Sequence, residues 1–138
     1  MSEENKALFR RFMDEVVSKR NVDAIDDFMS ADYIEHNPPP GMEPGAAGMK
    51  QMMGMFFSAF PDLNTTVEQL VAEGDKVVGM MTTTGTHRGE FMGIPPSGKK
   101  VSFTEFHMVR IINGKAVEHW GLSDDMAMMQ QLGAIPSP

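Results

Sequence analysis

The chain has 138 residues, 41% apolar and 22% charged, the size and balance of one globular domain spanning residues 1–138. Its net charge of −7 repels phosphate backbones and argues against a nucleic-acid partner. There is no cysteine, which excludes disulfides and thiolate chemistry, and no apolar run long enough for a bilayer. The acidic start Met1-Ser2-Glu3-Glu4 lacks the basic-then-apolar pattern of a secretory leader, so the expected location is cytoplasmic, without a membrane partner.

In chain order, Leu8, Phe9, Phe12, Met13, Val16 and Val17 recur at three- and four-residue spacing and predict a helix over 2–19. A short second helix follows Asn21, with Ile25, Phe28 and Met29 inward, and residues 33–37 read as an extended piece stopped by Pro38-Pro39-Pro40-Gly41. Met49, Met52, Met53, Phe56 and Phe60 give a third helix over 45–60, ended by Pro61.

The pattern then changes. Residues 65–72 and 76–86 are rich in β-branched side chains and flank a Glu73-Gly74-Asp75 turn. A Gly- and Pro-containing loop reaches Lys99. Strands over 101–112 and 115–123 then flank Asn113-Gly114, a dipeptide suited to the type I′ hairpin turn, and a last short helix covers 125–132 before Gly133. Helices first and antiparallel strands after predict an α+β fold in which three N-terminal helices pack on a curved antiparallel sheet and enclose a pocket. Fifteen methionines supply adaptable apolar lining, so an apolar small-molecule ligand is expected, with Met53 and Phe56 among the groups that touch it.

Three stretches carry a resemblance. They are His87 through Lys99, containing Gly93-Ile94-Pro95-Pro96-Ser97-Gly98; Phe103 through Ile111 followed by Asn113-Gly114-Lys115; and Val117-Glu118-His119-Trp120 through Asp124, with Gln131-Leu132-Gly133 beyond. With Tyr33-Ile34-Glu35-His36-Asn37-Pro38, their order and spacing resemble the SnoaL-like polyketide, or ester, cyclases of the nuclear transport factor 2-like superfamily. The resemblance implies a cone-shaped fold and an intramolecular aldol condensation run without metal or organic cofactor. It further implies an acidic side chain as general acid and base beside pocket histidine and amide groups.

Several residues are candidates for that chemistry. His107 shares a strand face with Phe103 and Glu105 and matches the cyclases' pocket histidine; a histidine titrates near neutrality. Glu105 on that mostly apolar face is expected to be desolvated and its pKa raised, unless a cation pairs with it. The other reading of Glu105 is an ion pair with Arg110 or Lys100. In the cyclases a glutamine-like residue occupies this point. Gly121 falls where the cyclases place their aspartate, and glycine transfers no proton. Asp124 matches a second recurring acidic position and is kept as a catalytic candidate, although it also suits a helix cap. His36, Asn37 and His119 are the candidate substrate contacts; His36 and Asn37 precede a rigid proline segment, and an equivalent asparagine contacts substrate in the cyclases.

No compact zinc motif, phosphate loop or nucleophile elbow is present, so no metal and no cofactor are expected. The function that follows is cofactor-independent proton transfer, as aldol cyclisation or keto–enol isomerisation, on an apolar carbonyl-bearing molecule. The alternative is a non-catalytic ligand-binding module of the same fold. Phe106, Met108, Trp120 and Leu122 fall on the other face of the last two strands, and the resemblance implies a homodimer formed there.

Overall fold

The computed structural model describes residues 2–39 and 41–136; Pro40, within the expected proline stop, lies outside them. Helix α1, Ser2–Phe12, carries Glu3 and Glu4 in its first turn and Arg10 and Arg11 in its last, each matched to the helix dipole. The chain does not continue as a uniform helix to Lys19. Met13–Ser18 form a π-helical turn in which the Lys19 amide reaches back to the Asp14 carbonyl at 2.9 Å. The widened turn accompanies burial of the consecutive Val16 and Val17.

A short 3₁₀ turn and α2, Ile25–Phe28, lead into β1, Met29–Glu35. Helix α3, Gly45–Ala59, follows, then β2, Asn64–Glu73, and β3, Lys76–Thr86. The chain ends in β4, Lys100–Ile112, β5, Lys115–Ser123, and the short α4, Asp125–Gln131. Between β4 and β5, Asn113 and Gly114 have φ of 50° and 74°, the positive values a type I′ turn demands.

The strands form one open sheet in the order β1-β5-β4-β3-β2. It is antiparallel except at one edge, where β1 runs parallel to β5 and pairs Ile34 with Glu118 and Glu35 with His119. The sheet is therefore mixed, not purely antiparallel. The expected curved sheet covered by helices is otherwise what the chain builds, and the fold is α+β of the nuclear transport factor 2-like type. The parallel edge brings the segment before the prolines alongside the last strand, and so joins residues far apart in sequence.

One end of the molecule is closed by Phe60, Phe91, Val101, Phe103 and Leu132. The loop after β3 is pinned there: His87 is fully buried, its Nδ1 is 2.9 Å from Ser97 Oγ, and its backbone pairs with Lys99 and Gly98. At the opposite side Val16, Ile25, Phe28 and Met29 pack under α3. Between these clusters the helices stand off the sheet. No helix among the described residues is long and apolar enough to cross a membrane.

Candidate functional site

The space between helices and sheet is a cavity of about 190 Å³. Leu8, Phe9 and Phe12 reach it from α1, and Met49, Met52, Met53 and Phe56 from α3. These side chains are apolar, and the unbranched methionines adapt to irregular shapes. The polar wall comes from the sheet. Strand alternation directs Phe103, Glu105, His107, Val109 and Ile111 of β4 inward, with Met81 and Thr83 from β3, His119 from β5, and Tyr33 and Glu35 from β1.

Four ionisable groups on that wall form a continuous hydrogen-bonded line. Both oxygens of Glu35 lie 2.7–2.8 Å from His119 Nδ1. His119 Nε2 lies 2.8 Å from His107 Nδ1, with the two rings nearly parallel at a 21° interplanar angle. His107 Nε2 lies 3.3 Å from Glu105 Oε1. The ends are also held. The Tyr33 hydroxyl donates to Glu35 at 3.0 Å. Glu105 accepts from Ser123 Oγ at 3.1 Å and from the Thr83 hydroxyl.

Burial pushes both carboxyls upward, but their partners outweigh it. Hydrogen bonding and charge from His119 hold Glu35 below its ordinary value, with the Asn37 amide and Tyr33 adding to the effect. His107, Thr83 and Ser123 do the same for Glu105. The expected rise at Glu105 is thus reversed, because an imidazole, not Arg110 or Lys100, is its partner. Arg110 is engaged elsewhere, with Asp75 at 2.9 Å and Glu118 at 3.0 Å. Burial and the neighbouring Glu35 charge push the Tyr33 hydroxyl far up, so it stays protonated and donates.

The remaining candidates divide. Met53, Phe56 and His119 line the cavity with Glu105 and His107. Asp124 does not line it; its carboxylate accepts the Ala127 amide at 3.1 Å and caps α4. The one register shift between β4 and β5 falls between Arg110 and Ile111, before His119, so it does not turn Asp124 inward. His36 is not a cavity residue either. It stacks on Trp120 with centroids 4.5 Å apart and pairs with Glu118 at 2.8 Å. Asn37 uses its side-chain oxygen to accept the Gly121 amide at 2.9 Å, which secures β5 where β1 ends.

Sequence reasoning missed Glu35, Tyr33, Thr83 and Ser123. The signal for the first two was available: period-two alternation puts Tyr33 and Glu35 on one face and His36 on the other. Among the described residues, no three metal-binding side chains gather as a metal site.

Comparison with known proteins places the chain in a family. Residues 7–132 match the family model of SnoaL-like polyketide cyclases, and the chain belongs to that family. It is 28% identical over 115 residues to nogalonic acid methyl ester cyclase of Streptomyces nogalater, covering 80% of this chain and 84% of that one. Among solved structures it is similar to TsrD of Streptomyces laurentii, with TM-score 0.88 and 30% identity over 98% of each chain. It is also similar to AclR, a candidate hydroxylase of Streptomyces galilaeus, with TM-score 0.87 and 33% identity, covering all of this chain and 86% of the other.

Proposed function

We propose that the protein is a cofactor-independent enzyme that moves protons on an apolar, carbonyl-bearing small molecule, by aldol cyclisation or keto–enol isomerisation. The observation that carries this reading is the position of Glu105. It is a carboxylate on the wall of an apolar cavity, tied to an imidazole that is tied to a second imidazole. A depressed pKa keeps Glu105 in its base form at neutral pH. The base removes a proton from the carbon next to a carbonyl, and the His107 Nε2–H beside it, 3.3 Å from Glu105, turns to the enolate oxygen that develops. Two relatives are cyclases of methyl esters, nogalonic acid methyl ester and aklanonic acid methyl ester, which supports an ester-bearing substrate.

The test is hydrogen–deuterium exchange at the α-carbon of model β-keto esters in D₂O, followed by NMR. Exchange above buffer is expected, and Glu105→Gln should lower it roughly 100-fold or more, the scale of losing a general base. A ligand that stabilises the fold without any exchange would sink this reading and favour a binding module.

A further inference from the structure

Both end carboxylates of the polar line are held below their ordinary values and are ionised at neutral pH, so they only accept hydrogen bonds. His119 Nδ1 therefore carries a proton toward Glu35, and His107 Nε2 carries one toward Glu105. One contact is left, His107 Nδ1 to His119 Nε2 at 2.8 Å. Two bare lone pairs at that separation repel, and two N–H groups collide, so the contact holds one proton. Three ring protons on two imidazoles amount to one positive charge, flanked by two negative ones.

Glycine at residue 121 leaves the room this contact uses. Gly121 lies opposite His107 in the β4–β5 ladder. A Cβ there would sit 2.8 Å from His107 Nδ1 and 2.9 Å from His119 Cε1, inside the closest approach of real Cβ atoms. A side chain at 121 forces one or both rings to shift from this contact.

We infer that His107 and His119 share one proton as an imidazole–imidazolium pair that couples Glu105 and Glu35 into one acid–base unit, with Gly121 as the positioning residue. This rests on the proton-transfer reading above. In the first half-reaction a Glu105 oxygen takes the substrate's α-proton, and the C–H electron pair becomes the C=C bond of an enol. The carbonyl oxygen, two bonds from that carbon, takes its proton from His107 Nε2, while the shared proton settles on His107 Nδ1 and His119 keeps its Nδ1 proton toward Glu35. Glu105 is now a carboxylic acid and both imidazoles are neutral. In the second half the enol oxygen returns its proton to His107 Nε2, the Nδ1 proton is shared with His119 again, and Glu105 protonates the electrophile. That electrophile is the alkoxide of an aldol closure or the vinylogous carbon of an isomerisation. The unit ends as it began, and the α-proton held on Glu105 between the two halves trades with solvent, which is what α-exchange in D₂O reads.

The other titratable groups near the unit are Tyr33, which donates to Glu35, and Asp125 of α4, which feels the Glu105 charge. Helices α1 and α3 present only apolar side chains to the cavity.

The experiment is ¹⁵N NMR of histidine-labelled protein at pH 7, without substrate, on the wild type and Gly121→Ala. The expected wild-type spectrum shows three protonated ring nitrogens on His107 and His119 together and a low-field N–H···N proton. Gly121→Ala should lose that proton and slow α-exchange roughly 100-fold, the scale of losing a general acid. One proton on each wild-type ring overturns the inference, whatever the activity. So does Gly121→Ala with separated rings but undiminished exchange, which leaves Glu105 as the base. Three ring protons in a wild type that catalyses no exchange would instead fail the reading beneath it, and the coupling with it. Should Gly121→Ala not fold, the wild-type proton count decides alone.

Discussion

Glu35 grips His119 Nδ1 with both carboxylate oxygens, at 2.8 and 2.7 Å, although the two residues are 84 positions apart in the chain. The contact fixes the imidazole's orientation and its tautomer at once. Glu35→Gln offers one acceptor oxygen where there were two, and brings an amide that competes for the same donor. We expect a loss of about 1–3 kcal/mol in stability, the scale for disturbing a buried charged hydrogen bond. Turnover should fall by more than binding, because the imidazole keeps its place against the ligand but loses its proton acceptor. Thermal unfolding and the separate effects on kcat and KM check this; a change in KM alone contradicts it.

Glu105 and Asp124 are two carboxylates on neighbouring segments with different jobs. Glu105→Gln keeps the shape and the hydroxyl contacts but removes the titrating group, so activity should drop roughly 100-fold or more. Asp124→Asn should cost about 1 kcal/mol or less, because asparagine also caps helices, and leave turnover near wild type. Assaying both variants in one preparation decides the matter. An inactive Asp124→Asn beside an active Glu105→Gln would reverse the assignment.

Stability should fall steeply on acidification. Glu35 and Glu105 have folded-state pKa values below their unfolded ones. Such groups contribute stability above the unfolded glutamate value of about 4.3, and that contribution is lost as pH drops through the lower folded values. The Glu35→Gln/Glu105→Gln double variant lacks this part of the linkage. Its melting temperature should therefore vary less than the wild type's between about pH 5 and pH 3, as calorimetry or circular dichroism would show.

Phe106 and Leu122 are cross-strand partners on the sheet face away from the cavity, and they are 48% and 74% exposed. Partly buried Met108 and Trp120 extend the patch. We predict that a second copy docks on this apolar sheet face. Light scattering at micromolar concentration should give twice the monomer mass, and Phe106→Glu/Leu122→Glu should give the monomer. A wild-type monomer removes the dimer from the picture.

How much of this was readable from the residues follows from which contacts are local. Strand alternation alone placed Glu105, His107 and Val109 on one face, because a hairpin with an Asn-Gly turn leaves little freedom of register. It also placed Trp120 opposite His119. The helical spacing of Met49, Met53 and Phe56 gave the apolar wall. Glu35 escaped because its partner lies across a parallel edge pairing, and no local pattern announces where an isolated seven-residue strand will dock. His36 was placed at the pocket mouth by its position before the rigid proline segment, against the parity that turns it to Trp120. Glu105 illustrates a different limit. Its burial was foreseen, but the sign of its pKa shift depends on a 3.3 Å contact with His107 and on hydroxyls from two other strands.

The methionine face of α3 has a bearing on how such a protein diversifies. Every group assigned to proton movement sits on the sheet, whereas Met49, Met52 and Met53 belong to one helix turn and a half on the far wall. On the proposed function, the part that would select a molecule by shape and the part that would react with it are thus inherited on separate pieces of chain. Substitutions on α3 would then change which molecules fit without displacing the polar groups of the sheet, and a lineage could trade substrates while keeping its chemistry. A library randomised at those three methionines, screened for new ligands by thermal shift, would explore that freedom directly.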